Sequence, residues 1–372
     1  MLHVHLPQAL YGHHAHERLI SADCTRSGQT VFLYPAHYPD FAAPIEAVTL
    51  RCGGHVLTGQ VLGAPETLAY AFTLPDGVGP DVAAEVWLAD RFAGRVVPRA
   101  LPLGRKATLT AATLFKNDYT QLETWVDYHA ALGFERFVLY FNGELARILP
   151  EVAACAALRD RDVLLVPWPY AYWAEGLGLG AEGLIAVHGA QADLSQRGRD
   201  WHHAQQLMLN HALVSLRGTT EYLGFFDLDE YFRPAAGVRS LADLCRHNGQ
   251  DVYIFQSRWA ELPGGEVPSW GDDRAFFARH PVLAAPEWVP FPSRTKYIGR
   301  PECIASTGAH VPKATVAGTR MVKVEPEIMG LYHFHCFSGK APRRNLITPG
   351  GAWAEVPGFL PDAAVTHAVM AG

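Results

Sequence analysis

Two hydrophobic rhythms divide the chain, and they meet near residue 105. Before that point apolar and polar positions alternate in short runs at 30–34, 45–52, 55–62, 67–74, 82–88 and 92–97. A period of two is the pattern of a strand with one buried face. Gly53-Gly54, Gly63-Ala64-Pro65 and Pro75-Asp76-Gly77 interrupt the runs at near-regular spacing. Short strands punctuated by turn residues predict a β-sandwich-like domain over residues 1–105.

From residue 107 the rhythm changes. Residues 108–115 read as a strand, and 119–132 carry Leu122, Trp125, Val126, His129 and Leu132 on one helical face, with Gly133 as the stop. A strand follows at 137–141, a helix at 144–158, a strand at 163–166 and a long helix at 199–216. The strand at 222–226 runs directly into acidic residues. Strands alternating with helices predict an α/β domain over 106–372, a mostly parallel sheet flanked by helices. Ligands of such sheets bind outside the carboxyl ends of the strands. Beyond residue 229 the pattern weakens to a helix at 240–246 and a strand at 252–259. The Pro-, Gly- and Trp-rich stretch 262–292 has the length of a binding lid.

Composition narrows the function. Of 372 residues 49% are hydrophobic and 18% charged, enough apolar mass for a well-buried core. The net charge of −6, with Lys and Arg dispersed, argues against a nucleic-acid partner. Six widely spaced cysteines without a CxxC predict free thiols in a reducing compartment, so a cytoplasmic setting is expected. No run approaches 18 apolar residues and the opening residues lack a signal-peptide core, so no transmembrane segment is expected; peripheral membrane association through a partner stays open. His3, His5, His13 and His14 follow no period and promise adventitious metal binding at most.

Three clusters carry chemistry. In Phe225-Phe226-Asp227-Leu228-Asp229-Glu230-Tyr231-Phe232 an apolar strand delivers carboxylates to one place. Such charges repel unless a cation or hydrogen-bond donors neutralise them. On extended backbone Asp227 and Asp229 share a face, a pairing suited to Mg²⁺ or Mn²⁺, with Glu230 as ligand or support. A lone Asp-x-Asp is more often a solvated loop; the apolar frame tips the balance. In Tyr332-His333-Phe334-His335 two imidazoles share a strand face, and one of them could complete the Asp229 site from far along the chain. Arg294, Lys296 and Arg300, with Lys340, Arg343 and Arg344, offer charge for phosphates, although most such residues are only solvated.

These clusters, in this order, resemble glycosyltransferase family 92 and its bacterial family 2-like relatives. The resemblance runs through Lys116-Asn117, Trp125 with Tyr128-His129, Gly133, the strand to Asn142, the acidic octet, the segment with Lys296, Arg300-Pro301 and His310, and His333-Phe334-His335 with Ser338. It covers residues 110–345. It departs at Thr124, where the family has Glu, and at Asn142-Gly143-Glu144, which lacks the family's Ser and Asp. The resemblance implies a GT-A-like fold and an inverting transfer using Mn²⁺ or Mg²⁺. By position, Asp229 would ligate the metal and Asp227 would contact the metal or the donor ribose. His333 would be the late ligand, with His335 second. Lys116, Asn117 and Asn142 would border the nucleoside; Lys296 and Arg300, from their charge, are the candidates for the diphosphate.

A nucleotide-sugar donor, UDP-linked, and a glycan or glycoconjugate acceptor follow from this reading. Inversion needs a base on the far sugar face. Glu261, at the end of a strand and the start of the expected lid, is the candidate; Glu266, Asp272 and Asp273 compete, while Trp259 and Trp270 could stack on acceptor sugars. A metal-dependent nucleotidyltransferase or phosphohydrolase would use similar residues. A noncatalytic carbohydrate-binding protein would use the β-rich region and the Trp-rich stretch 262–292. A Rossmann dehydrogenase is disfavoured, because no GxGxxG follows the strand at 108–115.

Overall fold

A computed structural model describes residues 1–8, 20–36, 48–63, 68–79, 81–116, 119–169, 203–235, 238, 240–263, 281–334 and 353–356. The first strand, β1 (Leu2–Val4), lies apart from its sequence neighbours, at the edge of the large sheet. Next come β2 (Ile20–Ser27), β3 (Thr30–Ala36), β4 (Val48–Cys52), β5 (His55–Thr58), β6 (Gln60–Leu62), β7 (Ala69–Thr73), β8 (Ala84–Leu88) and β9 (Arg91–Val96). They form two four-stranded antiparallel sheets, β2-β3-β7-β6 and β5-β4-β8-β9. Inward residues of both, among them Val31, Leu33, Leu50, Phe72 and Val86, share one core. The apolar run 55–62 reads as a single strand but is two, one in each sheet. The chain changes sheets at Gly59, where a Cβ would come within 2.8 Å of the Phe72 ring.

The large sheet begins again at β10 (Ala107–Phe115), followed by α1 (Leu122–Ala131), β11 (Arg136–Phe141), α2 (Leu145–Ala154), β12 (Asp162–Pro167), α3 (His203–Ser215) and β13 (Thr220–Phe225). β1, β12, β11, β10 and β13 lie side by side, all parallel. Every residue of β11 is buried, as expected of a strand covered on both faces. Phe137, Leu139 and Phe141 face α1 and α2, while Val138 and Tyr140 face α3. Gly133 ends α1 at φ +101°, and a Cβ there would meet Ala242 at 2.9 Å. The helix expected over 144–158 stops at Ala154 and gives way to a short 3₁₀ turn over Ala156–Leu158.

After β13 the sheet turns mixed. Its later elements are β14 (Glu230–Pro234), α4 (Leu241–Asn248), β15 (Val252–Glu261), β16 (Val282–Ala284), β17 (Thr295–Gly299), β18 (Ile304–Ser306), β19 (Ala314–Thr315), β20 (Met321–Val324), β21 (Met329–Phe334) and β22 (Ala354–Val356). β17 runs antiparallel between β13 and β15, and β21 runs parallel to β15 and antiparallel to β14. The result is α/β, with a parallel half and a mixed half joined at β13 and β17. Among the described residues no helix is long and apolar enough to cross a membrane.

Candidate active site

β13 buries all but one of its residues and ends at Phe225, at the carboxyl edge of the parallel half. Phe226 and Leu228 remain buried, whereas Asp227 and Asp229 are partly exposed. The backbone here is not extended. Glu230 N–H donates to the Asp227 carbonyl at 3.1 Å, and Glu230 Oε2 accepts from Asp227 N–H at 2.8 Å. These reciprocal bonds close a tight turn, so the strand alternation expected to pair Asp227 with Asp229 does not apply. Each carboxylate finds its own partner.

Asp229 faces His333, whose Nε2 lies 3.2 Å from Asp229 Oδ2 although 104 residues separate them. Strand pairing makes the approach: β21 sets His333 opposite Glu230 on β14, and Phe334 N–H donates to the Asp229 carbonyl at 2.7 Å. His333 Nδ1 is 3.5 Å from Glu230 Oε1. Burial disfavours the imidazolium, but Asp229 and Glu230 outweigh it and hold His333 above its ordinary range. Asp229 Oδ1 is buried with no hydrogen-bond partner among the described residues.

Asp227 faces Lys296, which enters from β17. Lys296 Nζ is 2.8 Å from Asp227 Oδ2 and 3.2 Å from Glu230 Oε2. Burial works against the ammonium, yet these two carboxylates hold its pKa above the usual lysine range. Burial also opposes charge on Asp227, but Lys296 wins and keeps that carboxyl below its ordinary range. Glu230, almost fully buried, goes the other way: burial outweighs Lys296 and pushes it up to about 7. His310, tied through Nδ1–H to the Thr295 carbonyl at 3.0 Å, is lowered by burial and by Lys296.

The turn is held from behind by α1. Trp125, fully buried, donates Nε1–H to the Asp227 carbonyl at 3.0 Å, and Tyr128 donates to the Phe232 carbonyl at 2.6 Å. His129 donates Nδ1–H to the Trp125 carbonyl at 2.8 Å and lies among the rings of Phe134, Phe226, Tyr231 and Phe232. Burial drives its pKa down to about 3. In front, Trp259 on β15 is the register partner of His333, and their ring centroids are 4.7 Å apart. Arg294 lies with its guanidinium 4.9 Å from the Trp259 ring centre. Its φ of +51° is a conformation costing a residue with a β-carbon on the order of 1 kcal/mol.

The remaining sequence candidates are distributed unevenly. Asn142 directly follows β11 at the same carboxyl edge, its Nδ2–H donating to the Trp168 carbonyl at 2.8 Å, and exposed Lys116 directly follows β10. Glu261 is buried on β15, two residues beyond Trp259 and on the same strand face. Lys296 is committed to carboxylates. Arg300 is elsewhere: it bonds Glu221 at 3.0 Å and the Tyr222 hydroxyl at 2.8 Å, at the start of β13. Asn117, Glu266, Trp270, Asp272, Asp273, His335, Lys340, Arg343 and Arg344 lie outside the described residues. Sequence reasoning missed the tie between Trp125 and Asp227, the Lys296–Glu230 pair and the place of His310. Trp125 carried a signal, since it sits on the buried face of its helix; the others depend on pairing between distant strands.

Among the described residues no three His, Cys, Asp or Glu side chains converge to close around a cation. Asp229 and His333 do fit part of a shell. An unpartnered buried carboxylate oxygen beside an imidazole nitrogen suits Mn²⁺ or Mg²⁺, which accept their other ligands from phosphate and water. Asp227 and Glu230 fit less well, because Lys296 already neutralises them.

The family model of glycosyltransferase family 92 matches residues 105–349. A family 92 protein of Ricinus communis is 28% identical over 224 residues, covering 54% of this chain and 30% of that one. One of Oryza sativa subsp. japonica is 25% identical over 211 residues, covering 54% of this chain and 28% of that one. The chain thus spans less than a third of the length of these curated relatives. Among solved structures, core-mannan synthase A of Aspergillus fumigatus in its Mn/GDP form is 9% identical, with a TM-score of 0.26, covering 60% of this chain and 58% of that one.

Proposed function

The chain belongs to glycosyltransferase family 92, and from that premise we propose that it transfers a sugar from a nucleotide donor to a glycan or glycoconjugate hydroxyl. The donor is taken as UDP-linked, the transfer as inverting and the metal as Mn²⁺ or Mg²⁺. A part in polysaccharide biosynthesis and a cytoplasmic setting belong to the same proposal, as does the division into a β-rich region, 1–105, whose first strand β1 nevertheless joins the large sheet, and a catalytic region, 106–372.

One observation supports this reading above the others: Asp229 and His333 face each other at 3.2 Å beside the carboxyl edge of a parallel sheet. These two residues would hold the cation. Bound there, it would supply Lewis acidity to the departing diphosphate. Lys296 keeps Asp227 ionised, and about a third of the Asp227 side chain stays exposed, enough to accept a hydrogen bond from a ribose hydroxyl. Trp125 fixes the backbone of that residue, so the carboxylate meets the donor already oriented. Asn142 and Lys116 border the nucleoside from the ends of β11 and β10. Glu261 accepts the acceptor's proton as the new glycosidic bond forms.

Thermal shift tests the reading. UDP is expected to raise the melting temperature only when Mn²⁺ is present, and Asp229→Ala to abolish that rise. The absence of a metal-dependent shift with any nucleoside diphosphate would contradict it. Rapid loss of nucleotide without an acceptor would point to a phosphohydrolase instead.

A further inference from the structure

The stretch 294–300 carries three basic side chains, and each meets a different fate. Lys296 is buried with Nζ between Asp227 and Glu230. Arg300 is bound to Glu221 at the opposite end of β13. Arg294 is exposed and has no hydrogen bond or ion pair among the described residues; its contact is the face of Trp259.

Two features make that contact more than a surface coincidence. Trp259 is the strand partner of His333 and touches its ring, so the guanidinium is one aromatic ring away from the Asp229–His333 pair. Arg294 also keeps a left-handed backbone, φ +51°, where glycine would sit without strain. Strain of that kind persists where the surrounding structure imposes it, and it clusters at active sites and ligand clamps. A guanidinium lying on an aromatic face keeps its N–H edge free, and that planar edge matches two oxygens of a phosphate.

We propose that Arg294, held by Trp259, binds the diphosphate of the nucleotide donor, the role that neither Lys296 nor Arg300 is placed to fill. This rests on the transferase reading above, and it deepens that reading by assigning donor recognition to a residue outside the acidic cluster.

The test uses the full chain with Mn²⁺, titrated with UDP and, in parallel, with uridine. Arg294→Gly is expected to melt at or above the wild-type temperature, because the backbone strain is relieved. Its UDP dissociation constant should nevertheless rise about tenfold to a hundredfold, the loss of charged hydrogen bonds to phosphate, while uridine binding is unchanged. Arg294→Lys keeps the charge but loses the planar fork, and should recover only part of the affinity. If wild type binds UDP and Arg294→Gly binds it equally, this assignment is overturned while the transferase reading stands. If Arg294→Gly keeps UDP affinity but loses activity with anionic acceptors, the guanidinium belongs to the acceptor and the assignment is again overturned. If wild type binds no nucleoside diphosphate, both readings fall together.

Discussion

The paired strands β13 and β17 carry opposite charges at both ends, and the two ends differ in solvent. At the carboxyl end of β13, Lys296 meets Asp227 and Glu230, with the lysine side chain 5% exposed and that of Glu230 3%. At the other end Arg300 meets Glu221, each about a third exposed, and approaches Asp251 at 3.6 Å. Water shares the charge at the second end, so that network clips the sheet edge and little more. At the first end Lys296 and Glu230 depend on their partners, since neither has enough water to replace a lost one, whereas Asp227 keeps about a third of its side chain exposed. Buried charge of this kind is costly to keep, and a cleft that holds it is a candidate functional site. The same pair of strands therefore teaches that burial, not the count of ion pairs, separates a site from a clip.

The largest effect expected from breaking this contrast is at Lys296. Lys296→Met leaves two carboxylates facing each other in a mostly buried space and should cost about 3 kcal/mol of stability, toward the low end for a buried pair because Asp227 retains some water. Urea denaturation near neutral pH measures it. Adding Glu230→Gln should restore part of the loss, and an unchanged midpoint in Lys296→Met would erase the distinction between the two ends.

A smaller effect sharpens the same point with a group that has no counter-charge. His129 titrates near 3 in the folded chain, below the ordinary histidine value near 6.5. In that window the unfolded chain binds a proton that the folded chain refuses, so this contribution is lost as pH falls below about 6.5. At pH 5 the loss amounts to about 2 kcal/mol. Glu230, raised to about 7, titrates with the opposite sign, so the informative quantity is a difference. The stability gap between wild type and His129→Phe should move against wild type as pH drops from 7 to 5. A gap independent of pH would show that His129 takes up its proton in the folded state.

The smallest effect belongs to the exposed end. Arg300→Met or Glu221→Gln should change stability by less than about 1 kcal/mol, and half-molar salt should shrink even that. A loss as large as that at Lys296 would mean that exposure does not discriminate between the ends.

The contrast also explains what was legible in the sequence. The all-apolar β11, the helical face of α1 with Trp125 and His129, and the strand leading into Asp227 are local patterns, and local patterns report period and burial directly. Family membership followed from the order of such patterns. The inner geometry of the site did not, because it depends on which strands pair. Lys296 and Arg300 look alike in the sequence, but four residues along one strand separate them by roughly 13 Å, enough to send them to opposite ends of β13. Extended alternation aligns Asp227 with Asp229, yet the strand stops at Phe225 and a turn held by Glu230 gives each its own partner. The run 55–62 hides a change of sheet at Gly59, which becomes visible only beside Phe72.

Manganese binding followed by electron paramagnetic resonance tests the central claim, that Asp229 and His333 together hold the cation that meets the donor. The free-ion signal should fall when protein and UDP are both added to Mn²⁺. With Asp229→Asn or His333→Gln in place of wild type, it should stay near the level that UDP alone produces. Equal loss of signal with all three proteins would contradict the account, because the ion would then be held by groups other than these two.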